Sequence, residues 1–190
     1  FFFVSAQRKY KDANKSFERM DYSKAKEQYL YFIKKGDSNQ VLFERLGDCY
    51  YYNVDVDNAV IWYEKLFSNY NEIAPEYFFK YGQALKGASN KKEGDVFLAK
   101  YYNIIKKNED FDKEKQSFER LSQHISNFKI KNLDINSIYS DFGAYVNMEG
   151  NLIYSSTKDT SSLRTHIYKW NNQPFLDFYE TDANKESGMT

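Results

Sequence analysis

The sequence predicts an α+β chain: an N-terminal α-solenoid of three helix pairs plus a capping helix, followed by an incomplete antiparallel β region. Three observations carry this. Residues 21–29 and 55–63 superimpose with a shift of 34 residues, setting Asp, Ala and Tyr on Asp, Ala and Tyr. From about residue 7 to residue 107 the apolar side chains recur at helical spacing, interrupted by short polar stretches at 35–38 and 87–90. Beyond Phe128 the pattern switches to alternation with period two, and turn-forming residues separate the runs.

The 34-residue spacing is the tetratricopeptide period, in which each repeat is one helix hairpin and stacking buries a continuous core. In the middle pair, Phe43, Leu46, Gly47 and Tyr50 fall on the first helix and Ala59, Tyr63 and Leu66 on the second. The small residues let the two helices approach, and the large ones fill the space beside them. A third pair follows with a shift of 35, mapping Gly47 to Gly82, Ala59 to Gly94 and Tyr63 to Leu98, so one inserted residue is expected within 71–75. The first pair retains Ala13, Ala25 and Tyr29 but carries Lys9 and Asp12 where large apolar residues belong. Polar substitution at that end is what a solvent-facing cap requires. A charged helix over 111–124 is expected to seal the other end.

Strands are expected within residues 128–133, 143–148, 152–156, 166–170 and 175–179, with turns at 149–151, 157–159 and 171–174, the last ended by Pro174. Short antiparallel strands at this spacing suggest the start of a β-propeller, which takes roughly four or more blades. The chain is therefore expected to stop inside its second domain, with the helical domain spanning 7–125 and the β region 126–190. Phe1-Phe2-Phe3-Val4-Ser5-Ala6 reads as the end of a signal-peptide apolar region, with Gln7 as the new N-terminus.

Composition narrows the function. With 27 basic and 27 acidic residues and no long run of either sign, the chain lacks the electrostatic footprint of a nucleic-acid or anionic-membrane binder. Cys49 is the only cysteine, which excludes an internal disulfide and a cysteine-based metal cluster. No run approaches the roughly 18 apolar residues of a membrane-spanning helix. His124 and His166 fall in different domains without companion motifs, and zinc spacing is absent. Asp55 and Asp57 read as capping and dipole-compensating residues, and Cys49 as a small core or groove residue. Neither an enzymatic activity nor a cofactor is expected.

A partner-binding groove is the better candidate. The first helix of each pair should line it, presenting Asn14, Phe17 and Glu18, then Glu44, Asp48, Tyr51 and Tyr52, then Phe79, Gln83 and Lys86. Rings beside amides and acids suit an extended peptide or a helix, the rings supplying buried area and the polar groups register. A cytosolic co-chaperone would instead need a Lys, Arg and Asn carboxylate clamp, against which this acidic and aromatic lining argues.

A repeat stack joined to Asn136-Ser137-Ile138-Tyr139-Ser140-Asp141-Phe142-Gly143, Leu152-Ile153-Tyr154-Ser155-Ser156 and Trp170-Asn171-Asn172-Gln173-Pro174-Phe175-Leu176-Asp177-Phe178-Tyr179 resembles a family of Bacteroidota OmpA-family envelope proteins. Those proteins join tetratricopeptide repeats to a TolB-like propeller and usually end in an OmpA-like peptidoglycan-binding domain. The resemblance implies a periplasmic, outer-membrane-associated scaffold. In the PorE-like branch it implies a part in type IX secretion with a partner of the PorP/SprF outer-membrane type. Peptidoglycan contact would belong to the OmpA-like domain, outside these 190 residues. The alternative is an envelope enzyme or glycan-binding protein with its site in the rest of a propeller.

Overall fold

The computed structural model describes residues 9–124, 129, 131–158 and 166–182. The expected signal-peptide remnant, and the strand positions Phe128 and Ile130, lie outside them. The chain divides into two compact units, residues 1–125 and 126–190.

In the first unit the helices are α1 (Lys11–Glu18), α2 (Tyr22–Lys34), α3 (Gln40–Tyr52), α4 (Val56–Asn69), α5 (Pro75–Gly87), α6 (Lys91–Ile104) and α7 (Asn108–His124). Each packs on the next, and α3 also meets α5, so first helices stack on first helices. Local chemistry sets the starts. Asn39 caps α3 by accepting from Leu42 N–H at 3.1 Å, Asp55 caps α4 through Asn58 N–H, and Pro75 opens α5 where no N–H is needed.

The hairpin turns are one turn built three times. Met20, Val54 and Ser89 adopt φ of 60°, 60° and 66°. The N–H of the following residue bonds back to the preceding helix: Asp21 to Ser16, Asp55 to Tyr50 and Asn90 to Leu85, at 2.9, 3.0 and 2.8 Å. The carbonyls of Asp21, Asp55 and Asn90 then accept from Ala25, Ala59 and Gly94, opening the second helix. One residue thus ends one helix and begins another.

The core follows the register. Leu46, Ala59, Tyr63 and Leu66 are fully buried, as are Ala25 and Tyr29 one unit earlier and Leu98 one unit later. A Cβ on Gly82 would lie 2.8 Å from Leu98 Cγ, and one on Gly94 would lie 2.7 Å from the Gly82 carbonyl, so α5 and α6 meet backbone to backbone. The inserted residue is located differently than expected. The linkers 35–39 and 70–74 have equal length, and α4 takes the extra residue, with 14 residues against 13 in α2.

Capping is visible at both ends. The ring pair Phe43–Trp62 recurs 35 residues later as Phe78–Phe97, but the first pair has Lys9 and Gln28 there, lining a cavity of about 540 Å³. Tyr10 compensates: it is 2% exposed, packs edge-on against Phe32, and accepts from Asn39 Nδ2 at 2.7 Å. At the far end α7 occupies the next first-helix position. α7 starts 33 residues after α5 and its contacts keep that offset, Phe111 and Glu114 meeting Tyr102 as Phe78 and Tyr81 meet Phe67, so Glu114, Lys115 and Phe118 stand where Tyr81, Gly82 and Leu85 pack, and all three are exposed.

In the second unit, β1 (Asp141–Val146), β2 (Asn151–Ser156) and β5 (Asp177–Asp182) form an antiparallel sheet in the order β1-β2-β5. Central β2 buries Leu152, Tyr154 and Ser156 on one face, and β1 breaks register between Phe142 and Tyr145 where Gly143 takes φ +68°. The β1–β2 turn is held by Asn147 Oδ1, which accepts from Glu149 and Asn151 N–H. β3 (Ile167–Tyr168) and β4 (Gln173–Pro174) make a separate short hairpin. Two expectations change. Residues 131–133 are not strand, and Pro174 pairs with Ile167 instead of merely ending a turn. The stretches around Ser140 and Gln173 meet, since Gln173 Oε1 accepts from Ser140 Oγ at 2.8 Å and Thr157 Oγ1 at 2.7 Å.

Candidate partner-binding surface

The three first helices α1, α3 and α5 supply the candidate residues. Asn14, Asp48 and Gln83 share one register position, and the structure uses it inwardly. Tyr29 donates to Asn14 Oδ1 at 2.6 Å, and Tyr63, the same position one unit on, donates to Asp48 Oδ1 at 2.8 Å. Leu98 replaces the tyrosine in the third pair, and Gln83 makes no side-chain hydrogen bond to a described residue.

Asp48 is therefore not a groove-facing acid. It is 2% exposed and also accepts from Lys80 Nζ at 2.8 Å, joining α3, α4 and α5. Burial raises its carboxyl above the ordinary range, with Lys80 and Tyr63 opposing. For Lys80 burial acts downward, yet the Asp48 charge and hydrogen bond leave it raised overall. The same burial drives the Tyr63 phenol far up.

Lys80 and Arg45 occupy equivalent positions, with Lys11 before them. Each of the later two reaches back to the preceding first helix. The Arg45 guanidinium lies 4.3 Å from the Phe17 ring centroid, and Lys80 Nζ lies 5.3 Å from Tyr52 and 4.9 Å from Tyr77. Phe17 meets Tyr22 edge-on, Tyr22 stacks on Tyr52 at 4.9 Å, and Tyr51 meets Tyr52 at 5.6 Å. Phe17, Tyr51 and Tyr52 are thus half-buried rings of one strip, joined through the buried Tyr22 and braced by cations over Phe17 and Tyr52. The cations were legible in the register as a recurring basic position, but their target was not.

The remaining candidates divide. Glu18 is exposed. Glu44 is half-buried, accepts from Gln40 Nε2 at 2.9 Å, and is raised by burial against that donation. Phe79 leans on Tyr101 of α6 at 5.1 Å. Lys86 turns away toward α6 and α7, pairing with Asp95 at 3.1 Å.

Residues weighed for chemistry have structural surroundings. Cys49 is fully buried and its thiol is pushed up by burial, Asp55 caps α4, and His166 is exposed. The His124 side chain lies outside the described residues. Among the described residues no group of three His, Cys, Asp or Glu side chains could hold a metal ion, and no helix is long and apolar enough to cross a membrane. No family model and no curated protein matches the chain.

Proposed function

We propose that this protein is a non-enzymatic scaffold whose helical unit is a tetratricopeptide stack and whose β unit is part of a propeller. It acts in the periplasm near the outer membrane, holding an envelope protein of the PorP/SprF type against the first-helix face. The resemblance of residues 136–143 and 170–179 supplies the compartment, the type IX secretion association, and wall anchoring through an OmpA-like domain of the parent protein. One observation carries the binding role: an aromatic strip of Phe17, Tyr51 and Tyr52, partly open and braced by Arg45 and Lys80. Pre-ordered rings lose little side-chain entropy on binding, so they suit a partner segment.

Cross-linking and pull-down from envelope fractions of cells carrying the full-length protein test this. Tyr51→Ala with Glu18→Lys is expected to lose the partner by about tenfold while helicity by circular dichroism is retained. Undiminished recovery, or an intact N-terminus in the cytosolic fraction, would refute the reading.

A further inference from the structure

The seam where α7 meets α5 and α6 carries an open pocket of about 410 Å³. Its counterpart one unit earlier is closed, because Gly87 packs on Val56 so tightly that a Cβ there would stand 3.0 Å from Val56 Cγ1. A shift of 35 turns Val56 into Lys91, and likewise Tyr51 and Val60 into Lys86 and Asp95, while α7, which starts 33 residues after α5, sets Arg120 at the position of Gly87 and brings Glu119 and Ser122 to the pocket. Apolar filler becomes charge, and the seam opens.

Lys86, Lys91 and Lys115 line the opening, with Phe118 as its apolar wall. Lys86 Nζ and Lys91 Nζ lie 5.1 and 5.3 Å from the same Phe118 ring centroid, so two ammonium groups converge on one ring. Asp95 answers Lys86 alone. Lys91 and Lys115 have no ion pair among the described residues. Glu119 lines the opening too, so three ammonium groups face two carboxylates, and the two lysines without an ion pair leave a local excess of positive charge for an incoming anion.

We propose that this seam recognises clustered side-chain carboxylates of an acidic protein segment. The site is separate from the first-helix strip and needs no knowledge of the native partner to be tested. The probe is an amidated hexaglutamate peptide with an N-terminal fluorescein, followed by anisotropy on the full chain at low ionic strength. Saturable binding is expected, and Lys91→Glu with Lys115→Glu should weaken it ~tenfold or more. Lys24→Glu with Lys34→Glu, the same charge change on exposed positions of α2, should change it by less than ~twofold. Glu119→Lys should tighten it, which keeps the test decisive if the double reversal perturbs α7. Absence of binding, equal loss from the α2 pair, or an unchanged or weaker Glu119→Lys complex would overturn the proposal. So would stronger binding of a neutral peptide with a free C-terminal carboxylate.

Discussion

Val54 links the two helices of the middle hairpin in a backbone conformation that valine resists. Its φ is 60° and the residue is 79% exposed, so it contributes little packing in return. A β-branched residue in the left-handed region costs about 1–2 kcal/mol relative to glycine there. Val54→Gly is therefore expected to raise the melting temperature by a few degrees, measured by circular dichroism. A lower melting temperature would show that the turn does not carry this strain. The equivalent residues Met20 and Ser89 show why the turn was hard to read: Met, Val and Ser share no left-handed preference, and only the following Asp21, Asp55 and Asn90 betrayed the position.

At the level of elements, one register position performs two jobs of different weight. Asn14 receives a single phenolic hydrogen bond between α1 and α2, whereas Asp48 holds Tyr63 and Lys80 and so couples three helices. The Asp48 and Lys80 side chains are 3% and 14% exposed. Removing one partner of a buried pair strands the other charge at a cost of roughly 3–5 kcal/mol, against about 1 kcal/mol for an ordinary hydrogen bond. Denaturant unfolding of Asp48→Ala and Asn14→Ala should separate by that margin. Equal losses would mean that Lys80 finds water or another acceptor, and that the inter-repeat pair is not a stabilising link. The reach of Lys80 across repeats explains why Asp48 reads as a groove residue from sequence: helical register gives the face, not the depth.

Over the whole helical unit, the phenols act as a set. Tyr10, Tyr22, Tyr29, Tyr50, Tyr51, Tyr63, Tyr77, Tyr81 and Tyr102 are all raised, with burial the leading cause in each, and Tyr81 and Tyr102 reach about 12. A phenol ionises in the unfolded chain near pH 10. Because the folded values are higher, the stability these groups contribute is complete below about pH 10 and is lost as pH rises above it toward the folded values. Thermal melts should fall steadily once pH passes about 10, with tyrosinate absorbance rising cooperatively with unfolding. A melting temperature level from pH 8 to about 11 would contradict the burial of this set.

The 34- and 35-residue register by itself determined the helix pairs, their hairpin order and most of the core, because stacking identical hairpins makes contact partners a matter of sequence offset. It also located the polar positions of the first pair and the charged character of α7. Tertiary structure alone decided that Asp48 is buried, that Lys86 leaves the first-helix face, and that an open seam lies under α7. In the β unit it alone joined Ser140 to Gln173, which lie 33 positions apart. Those outcomes depend on how far long polar side chains reach into neighbouring elements, and a periodic pattern carries no information about reach.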